Sequence, residues 1–167
     1  EGVDEMLPSD LLQVFFWGDD SFETLLQESL DSSVLVIDAI LGTGIKKAVR
    51  EPVLSTIQKV NGSGCPIISV DIPSGVDAST GEILGSAIYA DATITFAFEK
   101  RGHHQYPGAE LSGDVHCVDI GIPTSLAGEF QIESWLLEPE DGPFLLPRRT
   151  RDSHKGSFGH VGVWAGT

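Results

Sequence analysis

Two short apolar runs, each closed by an acid and a glycine turn, set the terms on which this chain can fold. VLVIDAI (34–40) is apolar except for Asp38, and CPIISV (65–70) leads straight into Asp71. Such runs, with no polar alternation, suit strands covered on both faces, the habit of parallel sheets. Between them Gly42-Thr43-Gly44 turns the chain. Glu51-Pro52 then opens a helical pattern through Leu54, Ile57 and Val60, with Gly62 just past its end. A strand, a helix and a second strand in this order imply parallel pairing, and so an α/β layered sheet. ATITFAF (92–98) and VHCVDI (115–120) read as further strands, and LLQVFFW (11–17) as an earlier one. Ser21 stands where it would N-cap a helix through Phe22, Leu25, Leu26 and Leu30, with Glu23 in the first turn.

At 167 residues and 41% hydrophobic, the chain has material for one domain, or for one and part of a second. It contains no run of about 18 apolar residues that could span a membrane, and no charged-then-apolar leader. It begins EGVDEM and stops at WAGT on a rising apolar pattern, so it is expected to be a piece of a longer polypeptide. Cys65 and Cys117 lie far apart in apolar runs; small buried thiols in a reducing compartment, the cytoplasm, are the expectation.

The net charge of −15 disfavours nucleic acid or an anionic membrane as partner. The imbalance is uneven, because residues 1–45 hold no Lys or Arg. The basic residues cluster instead at Lys46, Lys47 and Arg50, at Lys100 and Arg101, and from Arg148 to Lys155. Local positive charge in an acidic background is what a small anionic ligand would require, although each cluster alone suits ordinary solvated surface.

In an open parallel sheet, ligands gather beyond the carboxyl ends of the strands. Here two adjacent strand ends carry acids ahead of glycine turns: Asp38 before Gly42-Thr43-Gly44, and Asp71 before Ser74-Gly75. Glycines let backbone N–H groups approach a phosphate, with Lys46 and Lys47 on the rim. The GTG triplet is a weak signal by itself, since it is neither G-x-G-x-x-G nor a P-loop. Asp38 among Val36, Ile37, Ala39 and Ile40 would be costly unless hydrogen-bonded or coordinated. With the Ser74 hydroxyl and nearby carbonyls it makes an all-oxygen set carrying one formal charge, suited to a monovalent hard cation. The competing reading has Asp38 and Asp71 capping their own turns. Ser74 as a nucleophile lacks the preceding glycine of G-x-S-x-G. His103-His104 reads as a surface loop rather than a metal site, and Asp77 and Thr80 as turn formers.

VIDAILGTGIKKAVREP, SVDIPSGVDASTGE, ADATITFAFEKRGH and GDVHCVDIGIP, in this order and spacing, closely resemble the carboxyl-terminal two thirds of NAD(P)H-hydrate epimerase domains. RDSHKGSFGHVGVWAGT resembles the opening of an ADP- or ATP-dependent NAD(P)H-hydrate dehydratase domain. The resemblance implies a Rossmann-like, three-layer α/β/α sandwich with a mostly parallel sheet, present in part, followed by the first strand (161–165) of a ribokinase-like domain. It implies an epimerase part over 1–132, a linker over 133–147 and the dehydratase start over 148–167.

The implied activity interconverts the R and S forms of hydrated NADH or NADPH. By resemblance, Asp38 and Ser74 are potassium ligands. Gly42, Thr43, Gly44, Ile45, Lys46, Lys47 and Ala48 line the dinucleotide, and Asp71 contacts the substrate; a carboxyl so placed makes Asp71 the candidate catalytic acid–base group. ADP or ATP would serve the dehydratase part, and the resemblance leaves room for a homo-oligomer. A non-catalytic dinucleotide-binding or RNA-processing scaffold of the same fold is the alternative. The family's asparagine-rich glycine loop does not occur in this sequence, nor do the dehydratase's catalytic segments, so this stretch alone is expected to be inactive.

Overall fold

The computed structural model describes residues 13–132, 134–145, 151–154, 156, 158 and 162. The chain divides into two compact units, Glu1–Phe130 and Gln131–Thr167. In the first, helix α1 (Phe22–Ser32) is followed by strand β1 (Val36–Asp38), helix α2 (Val53–Gly62), strands β2 (Ile67–Val70) and β3 (Ala92–Phe96), helix α3 (Gly108–Leu111), strand β4 (Asp114–Val118) and helix α4 (Leu126–Glu129). The four strands form one sheet in the order β1-β2-β3-β4, and every pairing is parallel. The α/β class and the parallel pairing expected of the two apolar runs are therefore present.

Register shows why a helical layer packs where it does. Val36 pairs with Ile67, Asp38 with Ser69, and Ser69 with Thr93, so these residues share one face. Near the amino ends of the strands that face is apolar. There Val36 and Ile67 pack with Leu30 of α1 and with Ile57 and Val60 of α2. A smaller cluster of Ile72, Val76, Ala87 and Leu111 brings in α3. Toward the carboxyl ends the same face turns polar: Asp38, Ser69, Thr93 and Thr95 are all buried.

Three expectations are corrected. The run 34–40 is not buried on both faces: Ile37 is 66% and Val34 89% exposed. Helices α1, α2 and α3 cover one side of the sheet, while Ile37, Ile94 and Val118, on the other, stay open to solvent. Residues 13–17 form no strand; 11 and 12 lie outside the described residues. Cys117 is exposed, because it lines an open cavity at the end of β4; Cys65 is half-buried, its thiol 3.2 Å from the Ser33 carbonyl. Ser21 does precede α1, but its side chain makes no capping hydrogen bond.

In the second unit, a 3-10 turn (Pro139–Asp141) leads into a short helix, α5 (Gly142–Leu145). The strand expected over 161–165 lies outside the described residues. No helix among the described residues is long and apolar enough to cross a membrane.

Candidate functional site

The carboxyl end of β1 delivers Asp38 into the sheet at 2% exposure. A carboxylate so buried needs donors on both oxygens. Oδ2 accepts from the Ser69 hydroxyl and the Ser74 N–H, each at 2.8 Å. Oδ1 accepts from the Ser74 hydroxyl at 2.5 Å and, in an Asx-like turn, from the Ile40 N–H at 3.3 Å. Ser74 in turn accepts from the Leu41 N–H at 2.8 Å, with the Leu41 carbonyl 3.2 Å away. One buried hydroxyl thus knots the loop after β1 to the loop after β2.

Gly75 lets that second loop close. Its φ is +96°, and a Cβ there would lie 1.9 Å from the Ser86 carbonyl oxygen. Further on, Asp77 Oδ1 accepts from the N–H groups of Ser79 and Thr80, and Thr80 Oγ1 from Glu82 N–H. The turn-forming roles expected of Asp77 and Thr80 are met.

Asp38 Oδ1, Ser74 Oγ and the Leu41 carbonyl converge as three oxygens with one formal charge, the chemistry that suits potassium. The same atoms already satisfy one another. They fit an ion only in exchange for the Ser74–Asp38 hydrogen bond.

Asp71 follows the last residue of β2 with φ of +69°, a backbone conformation uncommon outside glycine. It makes no hydrogen bond to its own turn, so it is not an Asx cap. Its Oδ1 accepts from Thr95 Oγ1 at 3.0 Å, from the Phe96 N–H at 3.4 Å, and from the Lys100 ammonium, with which it forms an ion pair. Partial burial pushes the Asp71 carboxyl up, but Lys100, Thr95 and Phe96 together outweigh that and hold it below the usual carboxylate range.

His103 is 3% exposed, contrary to the surface loop expected of it. Its Nδ1 accepts from the Lys100 N–H at 3.1 Å, so its Nε2–H donates to the Asp71 carbonyl at 3.0 Å. Burial pushes the imidazole below its ordinary pKa, consistent with this neutral tautomer. His104 is more open and pairs with Glu99 at 2.5 Å.

The glycine loop takes a different form from the one expected. Residues 42–44 and 46–48 are exposed, Ile45 is half-buried, and α2 begins only at Val53. The GTG turn therefore does not run into a helix N-terminus. It is an open loop beside Asp38, with no atom within 4 Å of where a Cβ at Gly42 or Gly44 would stand. Lys46 reaches across to Asp77 at 3.7 Å and Lys47 is exposed. A cavity of about 460 Å³ opens beside the ends of β3 and β4, at Ala97, Cys117, Asp119 and Thr124, and no expected site residue lines it.

The structure thus joins Asp38 to Ser74 as the sequence suggested. It adds Ser69, Thr95, Lys100 and His103, none of them a site residue on sequence grounds. Ser69 and Thr95 are small hydroxyls in strands, and only the register sets them inward beside the acids. Lys100 and His103 share the spacing K-x-x-H after a strand, a signal with little weight by itself.

The sequence profile of the family described as YjeF-related protein N-terminus matches residues 15–102. The chain is 40% identical over 142 residues to a protein of Thermofilum pendens named bifunctional NAD(P)H-hydrate repair enzyme Nnr, covering 85% of this chain and 26% of that protein. The Escherichia coli protein of the same name is 39% identical over 140 residues, 83% of this chain and 26% of that one. A protein of Weissella koreensis named NAD(P)H-hydrate epimerase is 42% identical over 88 residues, 53% of this chain and 40% of its own. The chain spans about a quarter of the length of the first two relatives. Among solved structures, the crystal structure of yeast ynu0, YNL200c, superposes with a TM-score of 0.50 at 26% identity, covering 71% of this chain and 50% of that one.

Proposed function

Because this chain belongs to the family of YjeF-related protein N-termini, we propose that it forms part of an enzyme that epimerises hydrated NADH and NADPH. The activity named for its relatives supports this reading. So does one observation: a strand end in strained backbone presents a carboxylate held entirely by Oδ1. In the intact protein the reaction would be coupled to an ADP- or ATP-dependent dehydration, as the resemblance of residues 151–167 implies; the relatives' name itself says bifunctional repair enzyme.

The hydrated ring carries a hydroxyl on the carbon beside the ring nitrogen. When that hydroxyl gains a proton and its C–O bond breaks, water leaves and the nitrogen lone pair forms an iminium ion. Water then adds to the opposite face and gives up a proton. Asp71, ionised at rest beside Lys100, takes a proton from solvent, hands it to the departing hydroxyl and recovers one from the entering water, one group serving both directions by microscopic reversibility. The open loop 42–48 is the proposed bed for the dinucleotide, with Lys46 and Lys47 attracting its phosphates. Asp38 and Ser74 would hold a potassium ion, supplying charge neutralisation between the two loops.

Asp71→Asn in the intact protein is expected to slow interconversion of the R and S hydrates by about 10²-fold or more, the usual worth of a positioned acid–base group. The fold should be retained. Chiral chromatography of each epimer over time measures this, and an unchanged rate would remove Asp71 from the reaction.

A further inference from the structure

All three N–H bonds of the Lys100 ammonium are taken up inside the protein. They reach Asp71 Oδ1, Thr95 Oγ1 at 2.7 Å and the Phe96 carbonyl at 3.2 Å. A lysine so committed has no proton left to offer a substrate directly. Its main chain is fixed as well, because the Lys100 N–H donates to His103 Nδ1 while His103 Nε2–H donates to the Asp71 carbonyl. The segment 100–103 therefore grips Asp71 twice, once at the carboxylate and once at the backbone. Gly102 makes the grip close: a Cβ there would lie 2.5 Å from the Asp77 carbonyl oxygen, so only glycine lets the segment settle on the loop after β2.

We propose that Lys100 is the positioning residue of this site, holding Asp71 by Oδ1 and leaving Oδ2 for the reacting ring. The proposal rests on the epimerase reading for the identity of that ring. Among the described residues, Asp71 Oδ2 receives no donor, while Oδ1 receives three. An asymmetric carboxylate of this kind has one oxygen pinned in space and the other ready to exchange a proton.

The charges around Asp71 are few. Lys100 faces its carboxylate, His103 meets its carbonyl in the neutral form, and the Glu99–His104 pair acts on His103 in turn. The downward pull on the Asp71 carboxyl accordingly comes from one side chain above all, and removing that ammonium should reverse it.

The test compares wild type, Lys100→Met, Lys100→Arg and Asp71→Asn in the intact protein. The kcat/KM profile against pH is measured after subtracting the enzyme-free rate, alongside the ¹³C titration of labelled aspartate carboxyls. In Lys100→Met, the Asp71 inflection should move to higher pH in both readouts, with kcat down about 10²-fold and KM little changed. Lys100→Arg, which keeps the charge, should return the inflection toward its wild-type position; Asp71→Asn should lack it. An inflection in Lys100→Met that stays at the wild-type pH overturns the proposal. So does a moved carboxyl titration with an unaltered rate profile, which would make Lys100 structural. A wild-type protein without epimerase activity would overturn the functional reading instead, and the carboxyl titration alone would then decide whether Lys100 governs Asp71.

Discussion

Replacing Asp38 separates two explanations of why an acid tolerates burial in this sheet. The carboxylate accepts from the Ser69 hydroxyl, the Ser74 N–H, the Ser74 hydroxyl and the Ile40 N–H. In Asp38→Ala the Ser74 hydroxyl can turn to the Leu41 carbonyl, 3.2 Å away, and the Ile40 N–H loses only a long bond. That leaves the Ser74 N–H and the Ser69 hydroxyl stranded at positions with no solvent exposure. At about 1–3 kcal/mol for each stranded donor, the expected loss is about 4 kcal/mol, a large share of a typical domain's stability.

Asp38→Asn should behave differently. Its carbonyl oxygen can take the place of Oδ2 and keep both 2.8 Å bonds, while its amide donates to Ser74 Oγ. Only the Ile40 bond and the strengthening effect of charge are lost, about 1–2 kcal/mol. Urea unfolding of the intact protein, run in KCl and in LiCl at equal ionic strength, measures all of this. Potassium should stabilise wild type more than lithium does, and Asp38→Ala should abolish the difference. A cost below about 1 kcal/mol for Asp38→Ala would mean that the Ser74 N–H and the Ser69 hydroxyl do not depend on the Asp38 carboxylate. If Asn and Ala cost the same, the charge itself rather than the donor set is what matters there, and the account given for Asn fails.

His103 makes folding pH-sensitive. Its folded pKa is depressed, so the unfolded chain binds a proton that the native state refuses, and stability should fall as pH drops through about 6.5. Unfolding curves across that range should show the loss, and His103→Gln should remove its pH dependence. Gly75→Ala should cost about 3 kcal/mol or more, from a left-handed φ and a Cβ 1.9 Å from the Ser86 oxygen. Gly42→Ala, with nothing within 4 Å, should leave the thermal midpoint nearly unchanged.

The parts of the fold visible in the sequence were those written as contrast. A lone acid in VLVIDAI announces a buried carboxylate that must find donors, and Ser74 was the nearest candidate across the sheet. Glycine turns after two parallel strands mark the end of the sheet where a site belongs. Ser69 and Thr95 carried no such contrast, since a small hydroxyl in a strand is ordinary until register puts it beside an acid. The open face at Ile37 and Ile94 was illegible for another reason. An apolar run tells how much surface wants cover, but only the placement of α1, α2 and α3 tells which side has it.

The segment 100–103 shows how a site can be composed from residues that look unrelated. Two adjacent histidines in a polar stretch suggest surface, and they diverge as adjacent side chains do: His104 goes to Glu99 and His103 turns inward. What draws His103 inward is a glycine one residue earlier, whose missing side chain lets the backbone close on residues 77–78. Once closed, Lys100 lies over the end of β3 and finds Thr95, Phe96 and Asp71 within reach. Asp71 in turn reaches them because its left-handed backbone swings it off the line of β2 and toward β3. The acid at that strand end, placed there at some conformational cost, is thus explained by the neighbour it meets rather than by the turn it begins.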